Sequence, residues 1–241
     1  MSGDDAATAE RARLDAIAAV NAYSEGVNAV SMRYSVQVFR RHWRAPRCLE
    51  LGPAEGVVSG LLAEHFTDLT LVDGAERFCA DLRRRLPGAT VVCAAFEEFA
   101  PPRPFDTIIL GHVLEHVEDP VGVLRRVRGW LAPGGVVCAS VPNAHSLHRQ
   151  AAVLMGLLAN ERALNDADRR HGHRRVYDWN SFHADVVAAG LSIRTAGGYW
   201  LKPLANAQIE AAWTGDMVEA FMRLGERLPE IAGEIYVIAE A

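Results

Sequence analysis

Cysteine is scarce in this chain and scattered: Cys48, Cys79, Cys93 and Cys138 are its four, with no C-x-x-C pair among them. That spacing argues against a zinc ribbon, a redox dithiol or a disulfide framework. Three of the four fall inside apolar runs, where a buried reduced thiol is the expected state. Long apolar runs are missing too. No stretch approaches the roughly 20 residues needed to span a bilayer. The opening MSGDDAATAERARL has no positively charged start followed by an apolar core, so it does not read as a signal peptide. These absences predict a soluble protein of the reducing cytoplasm with no membrane partner. An excess of positive charge is also lacking, since 25 Lys and Arg stand against 30 Asp and Glu. Phosphate-binding surfaces usually show as a basic excess, so no nucleic-acid partner is expected beyond what a local basic groove would allow. There are no internal repeats and no low-complexity tracts.

What is present is 241 residues, 50% hydrophobic and 23% charged, the composition of a single compact domain with a real core. From Ala6 to Arg44 the pattern is mostly helical, and residues 1–46 read as an N-terminal helical cap. An alternation follows over residues 47–141. RCLEL (47–51), LTLVD (69–73), TVVCA (90–94), FDTIIL (105–110) and VVCASV (136–141) read as strands. Helices are expected through VVSGLLAEHF, through AERFCADLRRRL and from Pro120 to Leu131, the last stopped by Pro133-Gly134-Gly135. Strands alternating with helices mean crossover units. The predicted fold class is therefore α/β, a doubly wound, mostly parallel sheet with helices on both faces. After Pro142 the rhythm breaks into insertions at 142–178 and 197–231. Between them lie a helix ending at Gly190 and a strand LSIRTA, and EIYVIAEA closes the sheet. Such loops, late in an α/β fold, are where acceptor-side specificity is expected.

The stretch GHVLEHVEDP contains His112-x-x-Glu115-His116, the inverted zinc-protease pattern in which two histidines on one helical face hold a metal. Context argues against a zinc hydrolase. Pro120 lies four residues past His116 and pushes its predecessor out of the α region, and the chain offers no further ligand in a helical frame. No metal is expected. His112 instead follows strand four, on the edge where open α/β sheets bind ligands. On the same edge, ELGPAEG joins strand one to its helix. A dinucleotide fingerprint would continue Gly52 with two further glycines, where this chain has Ala54 and Val57, so a pyrophosphate is disfavoured. Asp73, 21 residues after Gly52 at the end of strand two, suits the two hydroxyls of a ribose.

Taken in order, Glu50-Leu-Gly52-Pro-Ala-Glu-Gly56, Asp73-Gly74, Phe105-Asp106, GHVLEHVEDP and LAPGG resemble the class I S-adenosylmethionine-dependent methyltransferases, from about Arg47 to Val141 plus the final strand. The resemblance implies S-adenosylmethionine as cofactor and a small-molecule methyl acceptor, with transfer to O or N. It implies that Glu50 and the turn Gly52, Pro53, Ala54, Gly56 surround the methionine part and that Asp73 and Gly74 take the ribose. Ala95 and Phe96 would flank adenine, and Gly111 and His112 would line the methionine side. Ala54, in place of a glycine, is acceptable if its φ stays negative. Glu115 and His116 are expected to be structural. On the acceptor side, PNAHSLHRQ and DRRHGHRRVYDW are rich in His and Arg. His145 and His173 are the candidate bases, because an imidazole titrates near neutral pH. His148, Arg174 and Tyr177 are the candidate substrate contacts, with guanidinium suited to an acceptor anion. The apolar segment AAVLMGLL is expected to be packing or a lid. A non-catalytic nucleoside-binding module with the same sheet is the alternative reading, and the sequence assigns no oligomeric state.

Overall fold

The computed structural model describes residues 24–241 together with Arg13, Ile17 and Ala19, so most of the expected N-terminal helical region before Ser24 lies outside the described residues. Its later part is helix α1, Gly26–Phe39. The elements that follow are β1 Arg47–Leu51, α2 Val57–Ala63, β2 Asp68–Asp73, α3 Glu76–Arg85, β3 Thr90–Cys93, β4 Phe105–Gly111, α4 Pro120–Gly129 and β5 Leu131–Pro142. Then come α5 Leu147–Leu154, α6 Asp166–Arg170, α7 Trp179–Ala188, β6 Ser192–Tyr199, α8 Asn206–Ala212, α9 Gly215–Arg227 and β7 Glu234–Glu240.

The seven strands form one sheet in the order β3-β2-β1-β4-β5-β7-β6. β1 to β5 pair in parallel, and β7 runs antiparallel between β5 and β6. This is the expected doubly wound, mostly parallel sheet. Strands β1 and β4 are neighbours, yet the chain winds away from them in opposite directions. A crevice therefore opens beyond their carboxyl ends.

The period of two along each strand sends alternate residues to opposite faces. Leu49, Leu51, Ile108, Leu110, Val137 and Ala139 join one core, with Val123, Leu124 and Val127 of α4 and Phe182 and Val186 of α7. Cys48, Ile109, Val136 and Cys138 join the other, against Tyr34, Val38 and Phe39 of α1, Leu62 of α2 and Met222 of α9. Burial on both faces explains why FDTIIL is a continuous apolar run rather than an alternating one. The cysteines are free, three of them buried.

Local chemistry sets the element ends. Asp119 caps α4 by accepting from Gly122 N at 2.8 Å, with Pro120 in the first turn. Asp178 and Ser181 form a capping box on α7, and Gly190 ends that helix at φ +81°, as expected. Three expectations are corrected. α4 stops at Gly129 because Leu131 pairs with Phe105, and Pro133-Gly134-Gly135 bulges within β5 instead of ending a helix. β6 extends to Tyr199, so the second insertion begins there rather than at 197. AAVLMGLL does not pack: Leu154, Met155 and Leu157 are 90%, 70% and 69% exposed.

One glycine positions a wall of the ligand edge. Gly225 of α9 lies against the end of β6, where Trp200 N donates to Met222 O at 3.1 Å, and a Cβ on Gly225 would come within 2.3 Å of Trp200 N. Helix propensity alone favours Gly225→Ala by about 1 kcal/mol. Backbone-to-backbone contact reverses the sign, so the variant should lose about 1–3 kcal/mol of stability. Denaturant unfolding checks this, and an unchanged or raised midpoint would contradict the close crossing.

Candidate active site

The turn after β1 is built on left-handed residues: Gly52, Ala54 and Gly56 have φ of +65°, +47° and +74°. The negative φ expected at Ala54 is thus corrected. The strain is held because Ala54 N–H donates to Asp73 Oδ2 at 3.1 Å, while Asp73 Oδ1 accepts from Ala75 N at 2.8 Å. One carboxylate therefore ties the first ligand-edge turn to the second.

Glycine is needed at Gly52 for space as well as φ. A Cβ there would stand 3.0 Å from Val113 Cγ2 and 3.8 Å from Phe96 Cζ. At Gly111 nothing would lie within 4 Å, which leaves the carboxyl end of β4 open. Pro53 is buried, while Gly74, Ala95 and Phe96 are half-buried at the ends of β2 and β3. Glu50 is the exception among the expected cofactor residues. Its Oε2 accepts from Ser59 of α2 at 2.6 Å inside the protein, and burial pushes its carboxyl up to about 8, with Ser59 opposing the shift. Its visible contact is with α2, through Ser59.

Residues 112–119 form turns, not a helix. The i, i+4 helical zinc pair is therefore absent, a stronger outcome than the short helix expected. His112 takes φ +57° and points between two carboxylates, Nδ1 at 3.3 Å from Glu115 Oε1 and Nε2 at 3.4 Å from Glu234 Oε2. Burial opposes its charge, yet Glu234 and Glu115 outweigh that and raise it to about 9. Glu115 is fully buried. Desolvation is overcome by His112, His116 and His173, which hold it down to about 2. His116 lies with Nε2 3.9 Å from Glu115 Oε1 and its ring edge-on to His173 at 4.7 Å. Burial keeps both of these imidazoles below their ordinary range, His116 at about 4.

The 142–178 insertion is what holds this loop. Arg175 donates to the carbonyls of Leu114, Val117 and Glu118. Arg174 donates from its backbone N to Glu115 O at 2.8 Å and from Nε to His116 O at 2.9 Å. Arg149, buried, pairs with Asp168 at 3.0 Å and reaches the Glu161 and Ala163 carbonyls. Arg174, expected to read an acceptor anion, thus has its Nε engaged with main chain.

Of the expected catalytic histidines, His173 joins the Glu115 cluster. His145 is half-exposed and pairs with Glu161 at 2.8 Å and Asp178 at 3.5 Å, on the insertion itself. Tyr177 is buried and donates to Asp185 Oδ2 at 2.8 Å, which gives it a packing role. Arg174 and Tyr177 do line a recess of about 470 Å³ with Arg162 and Asp185, but no residue of the Gly52 turn or of the His112–Glu115 pair borders it. A ligand there would be remote from the crevice. His148 is half-buried, its N–H on Lys202 O at 3.1 Å, and burial, then Lys202 and Arg149, lower its imidazole to about 3.

Glu234 and Lys202 were not foreseen. Their signals were faint: an acid opening an otherwise apolar strand, and a lone Lys in GGYWLKPL. In the sheet, Glu234 sits between Pro142 and Tyr199, beside the row that pairs Gly111 with Ser140.

The profile of the methyltransferase domain family (Methyltransf_23) matches residues 13–217. The chain belongs to this methyltransferase family. The agreement extends to the class I fold and to S-adenosylmethionine as the family's cofactor. Among curated relatives, trans-aconitate 2-methyltransferase of Acidovorax sp. (strain JS42) is 34% identical over 125 residues, 51% of this chain and 48% of that one. Ubiquinone biosynthesis O-methyltransferase of Chromobacterium violaceum is 27% identical, over 66% of this chain and 70% of that one. The chain spans about half the length of the trans-aconitate relatives it matches. In fold it is similar to the N-methyltransferase NodS of Bradyrhizobium japonicum WM9 in complex with S-adenosyl-L-homocysteine. That match has a TM-score of 0.60 and 14% identity, covering 97% of each chain. A methyltransferase from Mesorhizobium loti gives 0.60 at 18% identity, over 91% of this chain and 100% of that one. Among the described residues of this methyltransferase, no helix is long and apolar enough to cross a membrane.

Two outcomes follow for this methyltransferase site. Arg175→Ala removes charged hydrogen bonds to three carbonyls and should lower stability by about 2–3 kcal/mol, read by denaturant unfolding; a loss within 0.5 kcal/mol, about the limit for an ordinary surface change, would refute the clamp. His148 has a depressed folded pKa, so its unfolded form binds the proton first. Its neutral form is favoured above the unfolded value, roughly 6.5, and that stability is lost as pH falls towards about 3. His148→Gln should flatten the fall in unfolding free energy between about pH 6.5 and 5, relative to wild type.

Proposed function

We propose that the protein transfers the methyl group of S-adenosylmethionine to an O or N atom of a small molecule. One observation supports this reading: the Gly52–Gly56 turn, left-handed at three residues and tied to Asp73 through Ala54 N–H, stands on the ligand edge close against Val113 and Phe96. The residues present fit the donor. Asp73 places a carboxylate where ribose hydroxyls would come, Phe96 offers a ring beside Gly52, and the space at Gly111 leaves room for the methionine end. When bound, the sulfonium supplies an activated methyl group for in-line displacement. The protein's task is then to hold donor and nucleophile in line and to exclude water.

The acceptor is assigned to the carboxyl ends of β4, β5 and β6 and the amino end of β7, which lies between the last two. There Glu234 Oε2 and the Ser140 and Tyr199 hydroxyls are buried and make no hydrogen bond of good geometry among the described residues. An acceptor O–H or N–H donating to Glu234 would give a hydrogen bond to a buried carboxylate whose Oε2 has His112 Nε2 at 3.4 Å but no hydrogen bond of good geometry. A base in reach of the acceptor proton favours a hydroxyl acceptor. The printed names of the relatives, trans-aconitate 2-methyltransferase and ubiquinone biosynthesis O-methyltransferase, are consistent with a small acceptor. Glu234 and His112 take over the acceptor-side role first considered for His145. His173 stays near as a positioning residue.

Calorimetry with S-adenosylmethionine and S-adenosylhomocysteine tests the donor site. Asp73→Ala should weaken both by about 1.5–3 kcal/mol, the scale of hydrogen bonds to a charged group. Unchanged affinity would remove Asp73 from the site, and NAD binding of similar strength would overturn the cofactor. A screen of acceptors with labelled donor tests the second half. Glu234→Gln should depress turnover about 10²–10⁴-fold, the usual effect of removing a positioned base, with donor affinity kept. Tight donor binding without turnover on any acceptor would point to the nucleoside-binding module instead.

A further inference from the structure

Folding supplies the ligand that the H-x-x-E-H stretch lacked in sequence. His173, 57 residues after His116, is brought by the insertion to the loop after β4. The ligand atoms of Glu115, His116 and His173 all lie within 4.8 Å of one another. From these observations we infer that Glu115, His116 and His173 form a binding site for one divalent first-row transition ion of the zinc or iron(II) class, joining the β4 loop to the insertion.

Four features carry this. Glu115 has no solvent exposure, and neither of its carboxylate oxygens has a hydrogen bond of good geometry among the described residues. A buried carboxylate with both oxygens in that state is unfavourable unless a bound group meets it. His112 approaches Oε1 at 3.3 Å and leaves Oε2 without such a contact. Second, the two imidazoles are largely buried beside that carboxylate, His116 Nε2 at 3.9 Å from Oε1 and the two rings edge-on at 4.7 Å. Third, His173 Nδ1 is 3.6 Å from Asp168 Oδ1, and Asp168 is fixed by Arg149. A fixed carboxylate thus stands beside the His173 ring, where it can help set the ring's orientation. Fourth, the clamp by Arg174 and Arg175 fixes the backbone on both sides of the three ligands.

The donor set selects the ion. Tetrahedral zinc needs ligand atoms about 3.3 Å apart, given metal–ligand distances near 2.0–2.1 Å. Small side-chain rotations would bring the present atoms to that spacing. Two imidazoles with one carboxylate disfavour magnesium and calcium, which want oxygen, and leave at least one open coordination position. His112 Nδ1 stands beside the site, 3.3 Å from Glu115 Oε1. The inference does not depend on the methyl-transfer reading, because its test uses neither donor nor acceptor.

The full chain is stripped with chelator, dialysed and titrated with zinc by calorimetry. One equivalent should bind, with magnesium and calcium failing to compete, and cobalt(II) should give visible d–d absorption. His116→Ala and His173→Ala should each weaken zinc at least ~10-fold, whereas His65→Ala, outside the cluster, should not. Imidazole nitrogen resonances assigned to His116 and His173 should shift on zinc addition to the wild type, a readout that survives even if a variant misfolds. Absence of stoichiometric zinc binding would overturn the site, as would equal binding by the His116→Ala, His173→Ala double variant or unmoved resonances.

Discussion

The loop after β4 is the point on which the ligand edge depends, and it does not hold itself. Residues 112–119 have no helix or strand to satisfy their carbonyls. Arg175 supplies donors to three of those carbonyls, and Arg174 to two. With the loop fixed from outside, Glu115 can stay fully buried beneath it and His112 can be held at φ +57° between Glu115 and Glu234. A left-handed backbone and a buried carboxylate are each unfavourable alone. They persist because the surrounding contacts over-determine them.

A second tie works in the same manner on the other side of the crevice. Asp73 accepts from Ala54 and Ala75, so the turns after β1 and β2 move as one piece. One half of the edge is thus organised by a carboxylate receiving N–H groups, and the other by guanidinium groups serving carbonyls. The two halves meet at β1 and β4, where the winding reverses. That division explains why the basic residues of an acidic protein gather in one insertion. They complete main chain that regular structure leaves open, and the local positive charge need not mean an anionic acceptor.

Much of this was legible from sequence because it rests on local regularities. Apolar runs doubly covered by helices gave the five parallel strands within about a residue, except β5. There the pairing of Leu131 with Phe105 overrode a helical spacing. Glycines at 52, 56 and 190 were readable because only glycine takes those backbone angles without strain, and Asp73 because strand ends on one sheet edge must adjoin. Ala54 misled for the converse reason. Its positive φ is imposed by Asp73, 19 residues away. AAVLMGLL misled because apolar composition says that a segment can be buried and says nothing of whether a partner is available.

The sequence by itself determined the sheet, its direction of winding and the residues of the donor turn. Each of these follows from periodicity, turn chemistry or a short motif, all properties of contiguous residues. Only the tertiary structure decided what the histidines and arginines do. Whether His173 faces Glu115, whether Glu234 faces His112, and whether an arginine meets solvent or a carbonyl are questions of long-range proximity. They are fixed by how the insertion folds back over β4. A side chain's charge is local, but its partner is not.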